Sequence, residues 1–128
     1  MTRPPRSIHV PGASHKAPIP AAARLGQIIC TSAVSGKDPS TGELPTDMEA
    51  QVRNTFANLR AVLSAAGSGM DDVVKFSVTI KDNAVRDAVN VEWNAAFPDP
   101  NDRPARHIVV SDLQHGMQSQ IEAMAVVT

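Results

Sequence analysis

Apolar and polar positions alternate most plainly between residues 73 and 80. Val74, Phe76, Val78 and Ile80 fall on one face, and Lys75, Ser77 and Thr79 on the other. A period of two is that of a strand with one face on a core and one on a mixed surface. Upstream the period changes. Met48, Val52, Phe56, Leu59 and Leu63 recur at spacings of three and four, one apolar helix stripe, while Gln51, Arg53, Asn54, Asn58 and Arg60 fall off it. In "TDMEAQ" Thr46 stands three residues before Glu49, the capping-box spacing, so the helix is expected to start there and to end at Gly67 and Gly69. A second helix is expected over about residues 84–97, with Val85, Val89, Trp93 and Phe97 at every fourth position and Pro98 and Pro100 as its stop.

The other strands are shorter. "SIHV" lies in a section through Pro20 whose prolines forbid helix, and residues 1–7 are expected to be loose. From Leu25, "LGQIICTSAVSG" reads as a strand, and the turn-rich "KDPSTGELP" after it as a hairpin. "ARHIVV" and "QIEAMAVV" close the chain around a turn at His115 and Gly116. The order strand, strand, helix, strand, helix, strand, strand predicts an α+β fold, a mixed sheet with two helices on one face. The other face carries Val and Met among Lys, Ser, Thr and Gln. That is too apolar for water alone and predicts an oligomer.

The length of 128 residues, 42% of them apolar, suits one domain over residues 1–128. With 12 Lys and Arg against 13 Asp and Glu, and only 3% aromatics, the chain lacks both a basic footprint and a base-stacking platform, so nucleic acid is disfavoured as a partner. No apolar run approaches the roughly 20 residues of a membrane helix, and the N-terminus lacks a signal-peptide core. Together with the single cysteine, Cys30, this predicts a cytoplasmic protein in a reducing compartment. His9, His15, His107 and His115 are scattered, without HxH, HxxxH or CxxC pairing, so neither metal nor cofactor is expected. Cys30, inside "IICTS", reads as a small buried hydrophobe. The remaining chemistry lies in the last two strands. Arg106 enters one, and Gln120 and Glu122 lie two apart on one face of the other, so the pair of strands could bring them together. On spacing alone Arg106 reads either as a strand cap paired with a surface acid or as one member of a constellation with Gln120 and Glu122.

The segments "APIPAAARLGQIICTSAVSGKDPSTGELPTDMEAQVRNTFANLRAVLSAAG", "DDVVKFSVTIKD", "VNVEWNAAF", "RPAR" and "QIEAMAVV" together resemble, in order and spacing, the RidA/YjgF/UK114 family of enamine and imine deaminases. The resemblance runs from about residue 8 to the C-terminus. It implies a chorismate-mutase-like fold and a homotrimer, with the sheets forming a central β-barrel and an active site in each cleft between subunits. It also implies that Arg106 clamps the carboxylate of a small 2-imino or enamine acid, a task suited to a planar guanidinium. The family also uses backbone groups at the positions of His107 and Ala33, and a helix asparagine at that of Asn90. Two departures stand out. The family tyrosine that lines the cleft is replaced by Ile19. The family glutamate that orients water and exchanges protons is replaced by Gln120, which can hold a water but cannot take up a proton. The implied function is hydrolytic deamination to a keto acid and ammonia, with Arg106 and Gln120 as catalytic residues. The alternative is a non-catalytic trimer that binds small carboxylates. The family's older label, endoribonuclease and translation inhibitor, fits the acidic balance and the scarcity of aromatics poorly.

Overall fold

In the computed structural model, which describes residues 2–12 and 16–128, a seven-stranded mixed sheet carries two helices. The strands are β1 (Ser7–Ile8), β2 (Ala22–Leu25), β3 (Ile28–Thr31), β4 (Val34–Ser35), β5 (Val73–Ile80), β6 (Ala105–Val110) and β7 (Ser119–Val126). The helices are α1 (Met48–Ala65) and α2 (Arg86–Ala96). In space the strands run β1-β2-β3-β7-β5-β6, with β4 pairing β7 alongside β3. β5 and β6 are parallel and joined through α2, whereas β5 and β7 are antiparallel.

Both helices cover the same face, as their aromatic contacts show. Phe76 of β5 has its ring 6.0 Å from Phe56 of α1, and 5.2 Å from Trp93 and 5.6 Å from Phe97 at the end of α2. The edge-on geometry of the last two is the favoured one for aromatic pairs. Val52, Leu59, Val62 and Leu63 complete the buried side of α1. Gly67, at φ 83°, ends that helix in a Schellman turn: the Ser68 and Gly67 amides donate to the Leu63 and Ser64 carbonyls, at 2.9 and 3.0 Å. The Arg24 guanidinium adds a bond of 2.7 Å to the Ala66 carbonyl.

Several local expectations are corrected. The N-cap of α1 is Asp47, whose carboxylate accepts from the Ala50 amide at 3.0 Å, so the Thr46–Glu49 capping box does not form. Gln51 is buried at 3% exposure rather than lying off the apolar stripe. The apolar run at Leu25 is a hairpin instead of one strand, because Gly26 at φ 58° turns β2 into β3. The "KDPSTGELP" segment is a turn closed on Asp38, with the Gly42 amide donating to the Asp38 carbonyl at 2.7 Å, and it leads into α1 rather than into a second hairpin strand. A bulge between Val73 and Lys75 turns Val73 to the core and leaves Val74 exposed. Cys30 is exposed. It pairs with Met124 on the face away from the helices, while its neighbour Ile29 fills the core. At the N-terminus, Ser7 and Ile8 pair with Ala23 and Ala22.

The face opposite the helices is bare in the single chain. Across it run the rows Cys30–Met124–Lys75, Glu122–Ser77–His107 and Ser35–Gln120–Thr79–Val109. Ile28, Met124 and Val109 are 53%, 40% and 42% exposed there, so the half-apolar surface expected from the sequence is present.

Candidate functional site

Arg106 lies on β6, the last strand of the sheet, directly beside Phe76 and therefore on the helix-covered face. Its route there is fixed by the preceding residues. Arg103 donates to the Phe97 carbonyl at 2.8 Å, which ties the α2–β6 connection to the end of the helix. Asn90 and Trp93 are three apart on α2 and so share one side of it. The Asn90 Oδ1 accepts from an Arg106 terminal nitrogen at 2.8 Å, and the guanidinium carbon stands 4.8 Å from the centre of the Trp93 ring. This is a cation stacked on an aromatic face and oriented by a neutral amide. Among the described residues no carboxylate pairs with it. Burial, and secondarily the Arg86 cation, hold its pKa below the ordinary value. The strand-cap reading, which required a surface acid, fails for this arginine.

Gln120 lies elsewhere. The sequence reading that β6 and β7 could bring Arg106 and Gln120 together is corrected, because β5 separates the two strands. Gln120 is registered with Thr79 and Ser35 on the open face, opposite to Arg106. It borders a cavity of about 510 Å³ that is also lined by Ala33, Ser35, Lys37, Asn58 and Met117. Ala33 sits where the strand edge along β7 breaks between β3 and β4. There the Thr31 hydroxyl, rather than a backbone carbonyl, accepts from the Ala123 amide at 3.0 Å.

The cavity wall is fixed from α1. Asn58 donates to the Ser35 and Lys37 carbonyls at 2.9 and 2.8 Å, and Asn54 to that of Gly36 at 3.2 Å. A Cβ at position 36 would fall on the Gln51 carbonyl, so only glycine lets this strand end lie so close to the helix. Gln51 holds the opposite wall. Its amide nitrogen donates to the Pro45 and Gly116 carbonyls at 2.7 and 3.1 Å, and its oxygen accepts from the Gln118 amide at 3.0 Å. The loop so pinned contains His115 at φ 61°, a left-handed conformation uncommon outside glycine.

The remaining sequence candidates are dispersed. Asn90 is brought to Arg106. The His107 side chain is exposed on the open face, opposite Ser77 and away from Arg106, as strand alternation requires, while its backbone stays next to Arg106 in β6. Ile19 is 45% exposed and lines a separate hollow with His9 and Pro18. Sequence reasoning passed over Trp93 as a partner of Arg106, counting it only in the helix stripe. It also passed over Gln51 and Lys37. Of these only Trp93 left a usable signal, its i, i+3 relation to Asn90. Among the described residues no group of three or more His, Cys, Asp or Glu could hold a metal ion.

An α+β sheet thus carries at one edge an arginine with no carboxylate partner among the described residues, and elsewhere a cavity bordered by Gln120 and by α1. The chain belongs to the RidA/YjgF family, whose family model, described as Endoribonuclease L-PSP, matches residues 14–127. The 2-iminobutanoate/2-iminopropanoate deaminase of Escherichia coli (strain K12) is 39% identical over 110 residues, covering 80% of this chain and 81% of that protein. The crystal structure of the E. coli YjgF gene product superimposes with a TM-score of 0.86 at 34% identity, over 95% of this chain and 98% of that one. That of E. coli TdcF with bound serine gives 0.87 at 29% identity, with the same coverage.

Proposed function

We propose that the protein is a hydrolytic deaminase of small 2-imino or enamine carboxylic acids, assembled as a homotrimer whose sheets enclose a central barrel. The observation that carries this reading is Arg106, which Asn90 and Trp93 orient and which has no carboxylate partner among the described residues. The curated relative at 39% identity, an iminobutanoate and iminopropanoate deaminase, supports the chemistry. Because Arg106 and Gln120 occupy opposite faces of one sheet, a site using both takes them from two subunits. The bare face with Ile28, Met124 and Val109 supports such an assembly.

In this mechanism the Arg106 fork binds the substrate carboxylate through two charge-assisted hydrogen bonds, which sets the adjacent C=N carbon in the cleft. An enamine first becomes its imine by gaining a proton at carbon and losing one from nitrogen. Gln120 of the neighbouring subunit holds a water through its amide. The water oxygen adds to the imine carbon, one of its protons passes to nitrogen, and the carbinolamine collapses to the keto acid and ammonia. Glutamine orients this water without accepting its proton. The proton therefore moves through substrate and solvent, and the general-base contribution, typically about 10²–10⁴-fold, is forgone. Gln120 equally favours a second reading, a carboxylate-binding trimer without catalysis.

The test generates 2-iminobutanoate in situ with an amino-acid oxidase and follows its decay with and without the protein. Catalysed decay that falls about 10³-fold with Arg106→Ala, the worth of two charge-assisted bonds, is the expected result. Absence of acceleration, with 2-oxobutanoate still bound through Arg106 in calorimetry, selects the binding protein instead.

A further inference from the structure

The cavity beside Gln120 is lined by two lysines, Lys16 and Lys37, together with Leu44, Val62 and Met117, and none of its described lining residues is Asp or Glu. The nearest acid in sequence, Asp38, is engaged elsewhere: one of its carboxylate oxygens accepts from the Ser40 amide at 2.8 Å and the Ser40 hydroxyl at 2.6 Å. Lys37 is carried on the main-chain segment that Asn54 and Asn58 bind and that Gly36 presses against α1. The root of this ammonium is therefore fixed while its four-carbon stem stays free. Two exposed lysines on one hollow, with no carboxylate among its described lining residues, raise the local potential for an anion there.

We infer that this cavity is a subsite for a second carboxylate, so that the preferred substrate is an imino or enamine dicarboxylic acid. The inference rests on the deaminase reading above and specifies its substrate. The two anchors suit two different tasks. Arg106, planar and stacked, fixes the carboxylate next to the reacting carbon. Lysine is a point charge on a flexible stem and accepts a distal carboxylate at more than one chain length. The apolar wall of Leu44, Val62 and Met117 covers the methylenes between them.

The experiment measures kcat/KM on the full-length protein for 2-iminoglutarate and 2-iminobutanoate generated in situ, alongside calorimetry with 2-oxoglutarate and 2-oxobutanoate. The dicarboxylates are expected to be preferred at least tenfold in both measurements, with Lys37→Met bringing each ratio close to one. Lys37→Gln and Lys16→Met serve as independent variants. If both imines are deaminated with equal kcat/KM and Lys37→Met leaves the ratio unchanged, the subsite is overturned and the deaminase stands. If neither imine is deaminated but 2-oxoglutarate binds preferentially through Lys37, the subsite stands and the catalytic reading fails.

Discussion

The surroundings of Arg106 and of Gln120 are built on opposite principles. Arg106 is held by the core itself. Trp93 beneath it contacts Phe76 and Phe97, so the guanidinium rests on the aromatic cluster of the core. Gln120 borders a hollow whose walls are main chain held by amide side chains, Asn54, Asn58 and Gln51, with lysines at its rim. Packing gives the arginine one orientation. Hydrogen-bonded loops give the cavity a fixed frame with movable contents. The invariant end of a substrate is best met by the first kind of structure and its variable end by the second.

Beyond the loss expected of Arg106→Ala, the next largest change tests the missing proton acceptor. Gln120→Glu should raise kcat for imine hydrolysis about 100-fold and give the rate an acidic limb that the natural protein lacks, visible in a pH–rate profile. A flat response would remove Gln120 from the reacting atoms. Next, Gln51→Leu strands the Gln118 amide and two carbonyls and should lower stability by about 2 kcal/mol in urea unfolding. Hydrogen exchange at Gln118 should quicken, whereas the β5 amides beside Arg106 keep their protection. Equal loosening of both regions would erase the distinction drawn between them. The smallest effect belongs to Trp93→Phe, which keeps an aromatic surface but weakens the cation–π contact. KM for the carboxylate substrate should rise about fivefold with kcat little altered, a loss of roughly 1 kcal/mol.

Local pattern carried much of this architecture. The stripe of Val52, Phe56, Leu59 and Leu63 placed α1, and the proline stop placed the end of α2, because both depend on neighbours in sequence. Where two local signals competed, the nearer one won in space. Asp47, a residue closer to the helix than Thr46, took the cap. A polar residue in a core was not legible: nothing in the letters around Gln51 announces that Pro45, Gly116 and Gln118 will satisfy it. Strand order was least legible of all. The insertion of β5 between β6 and β7 is a long-range pairing, and the registers on it, Arg106 beside Phe76 and Gln120 beside Thr79, turn the two residues to opposite faces. Asn90 entered through family resemblance, and its bond to Arg106 now gives that position a physical reason.

The sequence holds one tryptophan, and the fold lays it 4.8 Å beneath the cation proposed to bind substrate. Indole emission responds to the electric field across the ring, and an arriving carboxylate neutralises the charge directly above it. The molecule therefore carries a native optical gauge of occupancy. With no second indole to blur the signal, ligand arrival and departure at each Arg106 can be timed by stopped-flow fluorescence on the unlabelled protein.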